Sequence, residues 1–173
     1  TARQVLIACG AHSAKLTAAL TGKQVPLDTE RGYHLMLPHE HQRLPFAVTS
    51  FERKFIMTPM NDGLRLAGTV EFAGLERPAN MQRAWQLHRL SQGLFRQDLS
   101  TRDATPWMGF RPSLPDSLPI IDRVAEGKVL LAFGHQHLGL TQAAVTAEMV
   151  VQLATPGKRM ALPDLAPYRL ARF

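Results

Sequence analysis

The chain of 173 residues contains one cysteine, Cys9. No intrachain disulfide can form, and a structural zinc site is not expected. A lone cysteine suits a reducing compartment, so the expected location is cytoplasmic. No apolar run is long enough to span a bilayer: Val-Leu-Ile-Ala at 5–8 and Val-Leu-Leu-Ala at 129–132 are core-sized. The sequence shows no signal peptide, lipidation motif, low-complexity tract or internal repeat. It also lacks a basic cluster. A net charge of +6 and a pI of about 10.1 first suggest nucleic acid. The basic residues, however, are dispersed. Near the tail the densest group is Lys158-Arg159, followed by isolated Arg169 and Arg172, and no basic run is interleaved with aromatics. A mildly basic, solvated surface with no nucleic-acid partner is the better reading. Such a field also suits an anionic substrate or an anionic lipid.

What is present is the balance of an ordinary globular domain, 45% hydrophobic and 20% charged. The segment 5–8 reads as a fully buried strand, and Cys9-Gly10 ends it. There is no initiator methionine, and this strand begins almost at once. A strand so near a terminus needs partners from elsewhere, so the chain is expected to be a piece of a longer protein. Residues 11–20 form a predicted helix with Leu16 and Leu20 on one face and Gly22 as its stop. Strands are predicted at 31–37, 46–50, 54–57 and 64–72, with a hairpin turn at Asn61-Asp62-Gly63. A long helix is predicted over 80–99, N-capped by Asn80, with Met81, Trp85, Leu87, Leu90, Leu94 and Phe95 on its apolar face. A short strand at 107–111 leads into a loop forced by Pro112, Pro115 and Pro119. A second buried-type strand at 128–133 leads through a turn at 134–139 into a helix at 141–154. That helix has Ala144, Val145, Met149 and Leu153 as core candidates, Pro156-Gly157 as its stop, and an irregular tail after it. The order is α/β at both ends around an α+β middle built on an antiparallel sheet. The two end units are expected to share one sheet.

Three segments could carry chemistry. The first is Gly134-His135-Gln136-His137-Leu138-Gly139-Leu140-Thr141, a turn between a buried strand and a helix. Unpaired amides and the helix dipole there suit a phosphate, a carboxylate or a flavin edge. Two glycines serving geometry alone would explain it equally well. His135 and His137 invite a metal, but no acid or cysteine stands beside them, so no metal is expected. The second is Trp107-Met108-Gly109-Phe110-Arg111-Pro112. Arginine at the end of an apolar strand suits a carboxylate held by its planar fork. A structural salt bridge to Asp116 or Asp122 is the competing account. The third is the strand, glycine and helix at 5–13, in which Cys9 reads as a small buried residue. The chain has no G-x-G-x-x-G, hence no dinucleotide fingerprint of its own.

Together, in this order, these segments resemble the D-amino-acid oxidase/dehydrogenase superfamily of flavoenzymes, which includes glycine, sarcosine and proline oxidoreductases. The resemblance rests on Ile7 to Ser13, Arg31-Gly32-Tyr33, Gly109-Phe110-Arg111-Pro112 with Pro115-Asp116 and Pro119-Ile120, and Gly134-His135 through Thr141. It implies two lobes. Residues 1–22 and 128–173 would belong to the FAD-binding lobe, as a first part and as a closing strand, helix and tail. Residues 23–127 would form the substrate-binding lobe. The G-x-G-x-x-G half of the FAD lobe, missing here, would be a partner supplied from upstream. By similarity, Arg111 would hold the substrate carboxylate, Tyr33 or His34 would face the substrate, and Gly10 would lie against the cofactor. His137, Leu138, Gly139, Leu140 and Thr141 would line the flavin's pyrimidine end. Gln136-His137 fills a stretch where relatives often carry glycine. The implied reaction oxidises a small amino acid, D-configured in the first instance, by hydride transfer to FAD; no general base is assigned. The electron acceptor, a homodimer and a peripheral inner-membrane contact stay open, and the chain alone is expected to be inactive. The alternatives are a glycine, sarcosine or proline oxidoreductase, a basic binding module and a flavin-free remnant.

Overall fold

The computed structural model describes residues 2–155, 157 and 163–173. The helix stop at Pro156 and the Lys158-Arg159 pair lie outside the described residues. In chain order the elements are β1 (Val5–Ile7), α1 (Ser13–Thr21), β2 (Asp28–Leu37), β3 (Val48–Ser50), β4 (Phe55–Met60), β5 (Gly63–Phe72), α2 (Gln82–Ser91), β6 (Thr105–Ser113), β7 (Ile120–Val124), β8 (Val129–Phe133) and α3 (Ala143–Ala154). They divide into two compact units, residues 1–29 with 111–173, and residues 30–110.

The first unit holds a three-stranded sheet in the order β1-β8-β7, with β1 parallel and β7 antiparallel to β8. The two end segments therefore do share one sheet. Its core gathers Ile7, Leu114, Ile120, Val129, Leu131, Phe133 and Leu170. β1 is not fully buried as its apolar run suggests. It is an edge strand, so Val5 and Leu6 remain 44% and 48% exposed and only Ile7 reaches the core. α1 likewise turns Ser13 and Thr17 inward and leaves Leu16 and Leu20 exposed, against the expected face. The Thr17 hydroxyl is satisfied by donating to the Ser13 carbonyl at 2.9 Å, which lets a polar face pack. Cys9 is exposed rather than buried. Gly22 ends α1 in a left-handed conformation, as expected. β7 begins directly after Pro119, inside the stretch expected to be loop. The tail is not irregular throughout. It forms two 3₁₀ turns, Ala166–Tyr168 and Leu170–Arg172, and buries Leu170.

The second unit is built on a five-stranded sheet in the order β3-β4-β5-β2-β6. β2 alternates strictly, and β4 and β5 do so over Phe55–Met57 and Leu64–Leu66, so one face carries Tyr33, Leu35, Leu37, Phe55, Met57, Leu64 and Leu66 into the core. Ala84 and Leu87 of α2 and Leu99 close that core. Each fully buried leucine contributes about 1.5–3 kcal/mol relative to exposure. The β4–β5 hairpin turns on Asn61-Asp62, with Met60 paired to Gly63. α2 is half as long as predicted. Gln92 leaves the helical region and Gly93 takes positive φ, so the chain reverses there, with Leu94 exposed and Leu99 brought back to the core. The N-cap is Met81, without a side-chain cap, rather than Asn80, whose side chain one residue earlier accepts from the Gln82 amide at 3.2 Å. β6 runs through Pro112 to Ser113; it is the terminal strand of the sheet, where a missing amide donor is tolerated.

Candidate functional site

The turn between β8 and α3 is held from three sides. Gly134 has φ +87°, and a Cβ there would fall 2.4 Å from Leu114 Cδ1, so no larger residue fits without displacement. The Gln136 amide donates to the Pro112 carbonyl at 3.0 Å, tying the turn to the strand end that follows Arg111. Gln136 itself sits at φ +52°, a left-handed position that costs a side-chain-bearing residue about 1–2 kcal/mol. The His135 ring lies 3.0 Å, Nε2 to Oγ1, from buried Thr146 on α3, and burial holds its pKa below the ordinary value. His135 is thus a neutral staple between turn and helix.

Beyond the staple the backbone opens outward. The Leu138 amide closes a tight turn onto His135 O, and the Gln142 amide reaches back to Leu138 O, both at 2.9 Å. The amides of His137, Gly139, Leu140 and Thr141 have no hydrogen-bond partner among the described residues. Leu140 is 93% exposed. Next to these donors in sequence, Gln142 Oε1 is a buried acceptor that also lacks a partner. A row of free N–H donors beside an orphaned acceptor, at the start of a helix, is complementary to a ligand edge carrying both acceptors and a donor.

Arg111 is half-buried near the end of β6. Arg111 makes an interaction within the chain, and the two acids that the sequence offers beside it each have further partners. Asp116 is gripped by Arg172, Nε to Oδ2 at 2.6 Å and Nη2 to Oδ1 at 3.2 Å, which holds its pKa below the usual carboxylate value. Asp122 accepts from the Arg123 and Leu170 amides at 2.8 and 2.9 Å. Gly10 opens the 3₁₀ turn before α1 at φ +54°, and a Cβ there would touch nothing within 4 Å, so its need is conformational.

Tyr33 and His34 take opposite faces of the second unit's sheet. Tyr33 is in the core; its hydroxyl donates to Glu71 Oε2 at 2.6 Å and accepts from the Asn80 amide at 3.2 Å. That bond is the first cause holding the Glu71 carboxyl below its usual pKa. His34 is half-buried on the open face, stacked on Trp107 with ring centroids 4.7 Å apart. Burial, then the charge of Arg65, keeps the His34 pKa below its ordinary value. Gly109 permits this stack: a Cβ there would lie 2.0 Å from Trp107 Cη2, so the indole folds back over the glycine of its own strand. Of the residues singled out from the sequence, the structure brings together those at 137–141, and sets Tyr33 and His34 apart by face. Sequence reasoning missed Gln142 and Arg65. Alternation around Leu64 and Leu66 could have put Arg65 on the open face, but nothing in the sequence shows that it lacks a partner.

A family model described as DAO, FAD dependent oxidoreductase, matches residues 1–153. The chain belongs to this FAD-dependent family. A D-amino-acid oxidase of Bradyrhizobium diazoefficiens is 40% identical over 172 residues, 97% of this chain and 40% of that protein. An uncharacterised oxidoreductase of Halorhodospira halophila is 32% identical over 98% of this chain and 78% of its own length. Glycine oxidase from Geobacillus kaustophilus superposes with a TM-score of 0.79 at 25% identity, covering all of this chain and 46% of that one. The chain therefore spans about two fifths of the first of these relatives. The free amides at 137 and 139–141 and the orphaned Gln142 Oε1 fit the pyrimidine edge of a flavin, which presents acceptors at N1, O2 and O4 and a donor at N3.

Proposed function

We propose that the protein to which this chain belongs oxidises a small amino acid, in the first instance a D-amino acid, to the imine, which water hydrolyses to the keto acid. The observation that carries the reading is the turn at 137–142, whose unpaired donors and acceptor match a flavin edge in a family that depends on FAD. Residues 1–22 and 128–173 serve the cofactor and 23–127 the substrate, and the remaining cofactor contacts come from the part of the family fold outside this chain.

Bound FAD supplies the hydride acceptor. The chain's own residues bind and orient. The amides of His137, Gly139, Leu140 and Thr141, at the positive end of α3, favour negative charge at the cofactor edge they face. The Leu138 amide is committed to His135 O, so Leu138 contributes shape instead. Gly10, through its left-handed conformation, turns the backbone beside the cofactor. Arg111 takes the substrate carboxylate in its fork, fixing the α-carbon for hydride loss. Of the two sheet residues, His34 on the open face is the one offered to the substrate; the Tyr33 hydroxyl is committed to Glu71. Alignment and charge complementarity then do most of the catalysis, and no side chain is assigned as general base. The alternative within the family, a glycine, sarcosine or proline substrate, uses the same residues.

Arg111 is the residue to test. In anaerobic titrations of the intact protein, Arg111→Ala should raise the substrate concentration for half-maximal flavin reduction by about ten- to a hundredfold, the worth of a charged hydrogen bond. An unchanged half-point would remove Arg111 from the site.

A further inference from the structure

We propose that Arg65 is a carboxylate-binding residue on the open face of the five-stranded sheet, near the His34 ring, which in turn stacks on the Trp107 indole. Arg65 lies on β5 between Leu64 and Leu66, both fully buried, so its side chain leaves from the opposite face. Its cross-strand neighbours are Met36 and Thr58, and the next pair along is His34 and Ile56 opposite Ala67. None of these is an acid. Arg65 Nε is buried and has no hydrogen-bond partner, and no carboxylate pairs with the guanidinium among the described residues.

That is an unusual state for arginine. Buried polar groups are nearly always satisfied, and an orphaned one calls for an explanation. Arg31, on the adjacent strand, shows what a structural arginine looks like here: four backbone carbonyls and Glu71 surround it. The His34 ring beside Arg65 is kept neutral at pH 7 by burial and by Arg65 itself, so it neither neutralises the guanidinium nor competes for an anion. Met36, Ile56 and Trp107 give the surrounding face an apolar character in which a guanidinium–carboxylate pair is strengthened. The planar fork suits a carboxylate. That the anion is a carboxylate rests on the proposed function; that Arg65 awaits an anion does not.

With the α-carboxylate assigned to Arg111, the carboxylate for Arg65 is the second one, that of an acidic amino-acid substrate. The test is a titration of His34 by NMR in the full chain, with ligands that have no α-hydrogen and so cannot be oxidised. These are 2-aminoisobutyrate, 2-methylaspartate and, as the isostere without a carboxylate, 2-aminoisobutyramide. A carboxylate on Arg65 should raise the His34 titration midpoint, and the amide should not. Arg65→Gln should raise the midpoint without ligand and weaken the ligand response by about ten- to a hundredfold. Arg65→Lys, which keeps the charge but not the fork, should fall between. A response to 2-methylaspartate alone is the expected result; an equal response to both acids would place the α-carboxylate here rather than at Arg111 and overturn the assignment. If the amide acts as well as the acids, if neither acid moves His34, or if Arg65→Gln still responds, the inference is wrong. The wild-type comparison of acid with amide stands even if a variant fails to fold. Flavin content and its reduction by substrate are read separately, so loss of this inference leaves the proposed function standing, and the reverse.

Discussion

The two faces of the five-stranded sheet each present an arginine, and the pair is instructive. On the core face Arg31 is wholly buried, its Nε 2.7 Å from Gly74 O and an Nη 2.6 Å from Arg77 O, with Glu71 at 3.7 Å and the Phe110 ring 5.4 Å from its Cζ. On the open face Arg65 has a buried Nε without a partner, beside a neutral histidine. A buried charge persists when its hydrogen bonds are made within the protein or by a ligand. Arg31 belongs to the first kind: it pins the 73–78 segment to the sheet and is part of the fold. Arg65, half-buried as a residue but with its Nε buried and unsatisfied, is read as the second.

The comparison breaks most visibly at Arg31. Arg31→Met should destabilise the protein by about 3–5 kcal/mol, because it strands four backbone carbonyls around a wholly buried side chain. Urea unfolding measures this; a loss under 1 kcal/mol would mean that the buried network is not structural. Gly109→Ala comes next. The added methyl collides with the Trp107 ring, so the indole should leave its stack on His34 at a cost of about 1–3 kcal/mol, with a changed near-ultraviolet dichroism. A wild-type aromatic spectrum in that variant would contradict the packing described. The smallest effect belongs to Arg65→Gln, within about 0.5 kcal/mol at pH 8, since no protein contact is lost.

That variant also sharpens the comparison through pH. The folded-state pKa of His34 lies below 6.5, so the unfolded chain binds more protons as pH falls past that value. His34 therefore favours the fold fully above pH 6.5, and the contribution is lost as pH falls toward the folded pKa, with a slope of at most about 1.4 kcal/mol per pH unit. Burial remains in Arg65→Gln while the neighbouring charge is gone, so the acid loss should narrow. His135, shifted by burial alone, should keep its share in both proteins.

Much of the architecture was legible in the sequence because it is written in periodicity. The alternation of β2 and β5, the Asn61-Asp62 turn and the left-handed stop at Gly22 follow from local rules, and so does the joining of β1 and β8 in one sheet. The failures share a cause, which is tertiary context. Val5, Leu6, Leu16 and Leu20 are apolar yet exposed because β1 is an edge and α1 packs by its Ser13–Thr17 face. Motif reasoning located the turn at 137–141 but could not see that Leu138 closes the turn while its neighbours stay open. Nor could it separate Tyr33 from His34, which one residue of register sends to opposite faces. Arg65 was invisible as a candidate, since lacking a partner is a property of three dimensions.

The most direct test of the central claim is to purify the intact protein and follow its flavin absorbance without oxygen while adding D-amino acids, glycine, sarcosine and proline in turn. The account predicts bound flavin, bleached by one class of amino acid. A protein without flavin would contradict the reading of the 137–142 turn, and a flavoprotein that no amino acid reduces would contradict the proposed reaction.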